Sequence, residues 1–112
     1  MAMRARVSVY TFDTERESLA DLRAEKRERW SAALRAEPGY VGEIAIETDD
    51  GRQIVVHLWE DDATAEQARV ANNPRLRELV LAEFVPDYER LWTREPEHVM
   101  GTVLTNTLAS AD

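Results

Sequence analysis

At 112 residues, with 44% apolar and 32% charged side chains, the chain has the size and composition of one globular domain. Its 22 acidic and 14 basic residues leave a formal charge of −8, which argues against a phosphate-backbone partner, so no nucleic acid is expected. It has no cysteine, which removes disulfides, thiolate nucleophiles and cysteine-held zinc or iron–sulfur centres together.

No apolar run approaches the roughly 18 residues a membrane helix needs, so no membrane partner is expected. Met1 to Arg4 leads into no apolar signal core, and a cytoplasmic location is the expectation. Arg23, Lys26, Arg27 and Arg29 alternate with Asp21, Glu25 and Glu28, a pattern that predicts an exposed helix face laced with ion pairs.

The first element is a strand over Arg6 to Phe12, rich in β-branched and aromatic residues. Val7, Val9 and Thr11 take one face, and Ser8, Tyr10 and Phe12 the other. Two capping-box patterns follow, Thr14-x-x-Glu17 and Ser18-x-x-Asp21, and predict a helix start. That helix carries Leu19, Leu22, Trp30, Ala33 and Leu34 along one stripe. It ends near Glu37, because Pro38 disfavours helical geometry before it and Gly39 permits a left-handed exit.

Glu43 to Thr48 alternates as a second strand, Asp49-Asp50-Gly51 reads as a tight turn, and Arg52 to Trp59 returns as a third. The third strand sends Ile54, Val56 and Leu58 one way and Val55, His57 and Trp59 the other. A strand with two apolar faces must be covered twice, and the helices of so short a chain cover one. A second copy of the chain is the expected cover for the other face.

Asp61 or Asp62 caps a helix to about Val70 or Ala71, and Asn72-Asn73-Pro74 breaks it, with Pro74 opening the next. Leu76, Leu79, Val80 and Phe84 make that helix amphipathic, and Pro86 ends or kinks it. Asp87 to Trp92 adds a further turn, and Val99 to Leu108 forms the last strand. The predicted fold is α+β, a ferredoxin-like sandwich: an antiparallel sheet with helices on one face, filling residues 1–112 as one domain with its core over about 6–108.

Pro38-Gly39-Tyr40-Val41-Gly42, the strand closing at Trp59-Glu60-Asp61, and the alanine-rich helix reaching Asn72-Asn73-Pro74 resemble the antibiotic-biosynthesis-monooxygenase (ABM) type domain of the dimeric α+β-barrel superfamily. The resemblance covers Val7 to about Thr107. It implies a homodimer whose two sheets face each other in an α+β barrel, and a pocket in each chain between sheet and helices. It also implies cofactor-independent oxygenation of a small aromatic or polyketide-type substrate in secondary metabolism, with no cofactor and no metal. An aromatic polyketide cyclase and a non-catalytic ligand-binding or partner protein are the alternatives on the same fold. Heme-degrading members carry a Trp and a His where this chain has Ala68 and Glu78. Anthrone-type oxygenases resemble it at Trp59, but carry Asn where Val55 stands and Tyr where Ala65 stands.

Within the implied pocket His57 is the candidate base, since its ordinary pKa lies near neutrality; otherwise it is a buried histidine hydrogen-bonded to backbone. Trp59 stacks on a flat substrate or closes the core. Tyr88 and Trp92, four apart, share a helical face as a lid or an anchor. Arg69 holds a substrate carboxylate or phenolate, or pairs with Glu66 or Glu60. Asn73 donates at the pocket rim or serves as a helix cap. His98, in the acidic link before the last strand, reads as a surface residue. No Gly-rich phosphate loop, nucleophile elbow or HExxH is present, and two histidines 41 positions apart make no metal site.

Overall fold

The β-branched run at the N-terminus forms strand β1 (Arg4–Thr11), in the computed structural model that describes residues 2–105, the side chain of Glu17 excepted. β1 lies between β3 (Arg52–Trp59) and β4 (Glu97–Thr102), and β2 (Tyr40–Glu47) pairs with the outer edge of β3. The sheet order is β2-β3-β1-β4 and every pairing is antiparallel, as expected for the ferredoxin-like α+β sandwich. The hairpin turn closes on Gly51, whose φ of 91° suits only glycine.

Helix α1 (Ala20–Arg35) begins later than the capping boxes indicate. Asp13 accepts from the Glu15 amide and a 3-10 turn spans Glu17–Leu19, so the polar cluster shapes the approach while Leu19, at the N-cap, makes no side-chain bond. The end of α1 is as read: the Glu37 amide bonds the Leu34 carbonyl and Gly39 turns at φ 80°.

Asp61 caps α2 (Asp62–Gln67) through a reciprocal capping box with Thr64. This helix stops short of the expected Val70, because Asn72 donates its amide to the Glu66 carbonyl and Asn73 donates to the Gln67 carbonyl. Those two side chains take the carbonyls a longer helix would have satisfied itself. A 3-10 turn (Val70–Asn72) follows, then α3 (Pro74–Leu79) with Asn73 as its N-cap and Pro74 in its first turn. Pro86 acts earlier than a simple stop. With no N–H to donate, and with its ring crowding the preceding turn, it is reached through a wide π-helical segment over Val80–Phe84 and a 3-10 turn over Val85–Asp87. α4 (Tyr88–Leu91) is the last helix described.

The predicted last strand is shorter than expected: β4 ends at Thr102, Leu104 is 93% exposed, and Leu108 lies outside the described residues. The core sits on one side of the sheet, where Leu34, Ala65, Ala68 and Leu76 pack around Trp59. On β3 the residues Gln53, Val55, His57 and Trp59 are buried, whereas Ile54, Val56 and Leu58 are only half-buried. The opposite face carries exposed apolar side chains, Ile46 at 51% and Val99 at 62% among them. Among the described residues no helix is long and apolar enough to cross a membrane.

Candidate functional site

A cavity of about 300 Å³ lies between the inner face of the sheet and the helices. Strand alternation builds its floor: Arg6, Ser8 and Tyr10 from β1, Gln53, Val55, His57 and Trp59 from β3, and His98 from β4. Trp30 and Leu34 of α1, Phe84, Tyr88 and Trp92 give it apolar and aromatic walls.

His57 is 3% exposed and its Nε2 is buried with no hydrogen-bond partner among the described residues. Glu43 Oε2, from the neighbouring position of β2, lies 3.5 Å from that nitrogen, long for a hydrogen bond and an ion pair only when the ring is protonated. Ser31 of α1 donates its hydroxyl to the same carboxylate. Burial lowers the His57 pKa, Glu43 opposes that shift and Arg6 adds to it. The imidazole is therefore neutral near pH 7.

At the other end of the floor Trp92 packs on Tyr10 with ring centres 4.8 Å apart, and His98 meets Tyr10 edge-on at 6.0 Å. Ser8 Oγ and His98 Nδ1 are hydrogen-bonded at 2.8 Å. Burial, then the charge of Arg6, pushes the His98 pKa down to about 4, and burial pushes Tyr10 up to about 12. His98 is exposed, as the sequence suggested, and its ring also joins the cavity lining. Strand register decides this, since His98 stands directly across from Ser8.

The basic run of α1 also departs from expectation. Arg23 is buried with its guanidinium 3.8 Å from the centre of the Phe12 ring and 3.3 Å from Glu47. Lys26 turns to Asp87 at 2.9 Å, and Arg27 reaches Gln53 at 3.4 Å. Lys26 and Arg27 line the cavity, and only Arg29 keeps the exposed ion pairs that the charge pattern implied. Long basic side chains bury their stems while their charged heads find partners, which a helical charge pattern does not reveal.

No protein-family model matches the sequence, and no curated protein matches it. Solved structures do. The chain is similar to SnoaB, a cofactor-independent oxygenase from Streptomyces nogalater, at 17% identity over 96% of this chain and 98% of that one, TM-score 0.69. It is similar to a monooxygenase from the gene ActVA-Orf6 of Streptomyces coelicolor in complex with the ligand nanaomycin D, at 20% identity over 97% and 94%, TM-score 0.64. A protein of unknown function from Nitrosomonas europaea, NE2512, matches at 17% identity over 99% and 98%, TM-score 0.66. The chain has the ABM-type domain fold.

In this ABM-type fold the sequence-singled residues divide into two groups. His57, Trp59, Tyr88 and Trp92 all line the cavity. Trp59, 2% exposed, is also the centre of the core cluster, in keeping with its core-closing reading. Arg69 stands off the cavity, exposed and 3.3 Å from Glu66. Asn73 is buried off the cavity too, capping Leu76 and donating to Glu37. Val55 and Ala65 are both buried on the cavity wall. Among the described residues no three His, Asp or Glu side chains come together as a metal site.

Proposed function

We propose that the protein is a cofactor-independent monooxygenase acting on a small aromatic or polyketide-type molecule, with His57 as the base that begins the reaction. The observation that carries this reading is the buried, neutral imidazole of His57 in the wall of an aromatic-lined cavity, with its Nε2 3.5 Å from the Glu43 carboxylate. A neutral imidazole that keeps its proton on Nε2, towards Glu43, takes a proton from a phenol or an activated methylene at Nδ1. Glu43, held by Ser31, orients the ring and stabilises the imidazolium that forms. The resulting carbanion gives its electrons to O₂. For a methylene the balance is one CH₂ and one O₂ to one C=O and one water, so the substrate supplies all the electrons and no external reductant enters. The oxygenases among the similar structures support this reading at the level of fold.

The apolar outer face of the sheet supports a homodimer, in which a second copy covers Ile44, Ile46 and Val99. A cyclase reading rests on Val55 and Ala65, aliphatic where the resembled oxygenases carry Asn and Tyr. It would use the same base and send the carbanion to a ketone.

Oxygen uptake with an anthrone or quinol after metal chelation separates these readings. His57→Gln should lower uptake by about 10²–10⁴-fold with little change in thermal unfolding. Unchanged uptake in that variant removes His57 as the base, and a condensed product formed without O₂ consumption replaces the oxygenase by the cyclase.

A further inference from the structure

The cavity has a charge opposite to that of the protein. The chain carries −8 overall, yet Arg6, Lys26 and Arg27 line the cavity and no Asp or Glu does. Lys26 is neutralised by Asp87 at 2.9 Å. Arg6 and Arg27 have no carboxylate partner among the described residues, and the only polar contact of Arg27 is the neutral Gln53. Glu66 acts on Arg6 only from beyond ion-pair distance and against the charge of Arg69, so burial still lowers the Arg6 pKa. A half-buried guanidinium with no contacting carboxylate is costly, and its fixed fork of donors matches a planar carboxylate on two points.

Position distinguishes Arg6 from Arg27. Arg6 stands directly across from His57 in the β1–β3 ladder and across from Met100 in the β1–β4 ladder, so its side chain springs from the middle of the floor beside the candidate base. Its charge also reaches Tyr10, Tyr88 and His98. Both cavity histidines are neutral near pH 7, so the positive charge available to a ligand is that of Arg6 and Arg27, and of these Arg6 is the one beside His57.

We propose that the cavity binds aromatic carboxylates, with Arg6 as the anchor that takes the carboxylate and lays the ring against His57. This deepens the oxygenase reading and rests on the same cavity, but it concerns what is bound rather than what is done to it. The cavity volume of about 300 Å³ suits one or two fused rings bearing the acid. The anion-holding role suggested for Arg69 passes to Arg6, because Arg69 is outside the cavity and engaged with Glu66.

The test is a titration at pH 7 by tryptophan fluorescence and calorimetry with 1-hydroxy-2-naphthoate and with the corresponding neutral carboxamide. The wild-type protein should bind the acid at least about tenfold more tightly than the amide, the tenfold step of a modest charge-assisted contact. Arg6→Gln should erase that preference, and Arg6→Lys should keep part of it. Equal affinity for acid and amide in the wild type, no binding of the acid at millimolar concentration, or a preference that survives in Arg6→Gln overturns the proposal. The wild-type comparison needs no variant, so poor folding of Arg6→Gln does not remove the test. Oxygen uptake separates this failure from that of the oxygenase reading. An acid that binds through Arg6 but consumes no O₂ sinks the chemistry alone, and turnover of a neutral quinol with no preference for acids sinks the anchor alone.

Discussion

Replacing Gly39 by alanine should damage this fold more than any exposed loop substitution. Gly39 turns the chain out of α1 at φ 80°, where an L-residue with a Cβ pays about 1–2 kcal/mol. An added Cβ would also stand 2.4 Å from Thr64 Cβ and 2.5 Å from its Oγ1. The backbone has little room to move aside, because the Gly39 carbonyl accepts from the Glu60 amide at 2.8 Å and Thr64 is fixed by Asp61. Relieving such an overlap costs about 1–3 kcal/mol, so the total is roughly 2–5 kcal/mol. For 112 residues an unfolding entropy of about 2.1 cal/mol/K per residue converts this to a fall in Tm of about 8–20 °C. Calorimetry measures the fall, and hydrogen exchange should find the Thr64 amide, bonded to Asp61 at 2.9 Å, among the first to lose protection. A variant melting within about 2 °C of the wild type refutes the reasoning.

Leu76 is fully buried against the Trp59 cluster, so Leu76→Ala should cost about 3–5 kcal/mol in urea unfolding, and a loss below about 1.5 kcal/mol would mean the core closes over the gap. Ile46→Asp, on the open face of the sheet, should convert the proposed dimer to monomer in sedimentation; a wild-type monomer at micromolar concentration, or a variant that stays dimeric, defeats the barrel. Stability should fall as pH drops from about 6.5 towards about 4. In that window the unfolded chain protonates histidines that His98 and His57 resist protonating when folded. Urea midpoints at pH 7 and pH 5 measure this, and His98→Asn should flatten the difference; a midpoint that rises at pH 5 contradicts it. Asn73→Ala should cost about 1–2 kcal/mol from the lost cap while leaving ligand affinity near wild type, since Asn73 is off the cavity; a large affinity loss would return it to the site.

The sequence by itself determined the parts of this protein that depend on local stereochemistry. Alternation placed His57 and Trp59 on one face of β3, Pro38-Gly39 ended α1, Asp61 and Asn73 capped their helices, and the order of elements gave the ferredoxin-like sheet. Each of these signals lies within a few residues of the structure it specifies. Tertiary structure alone decided which charged groups turn inward. Arg23 and Lys26 leave the surface for Phe12 and Asp87, partners distant in sequence, and Arg27 does so for Gln53. It likewise decided that β1 and β4 pair in the register that sets His98 beside Ser8, and that Arg6 stands across from His57. Periodicity fixes the face a side chain occupies, but not which strand lies opposite or at what offset. The candidate base was therefore legible in the chain, whereas the Arg6 charge beside it is placed only once the strands are paired.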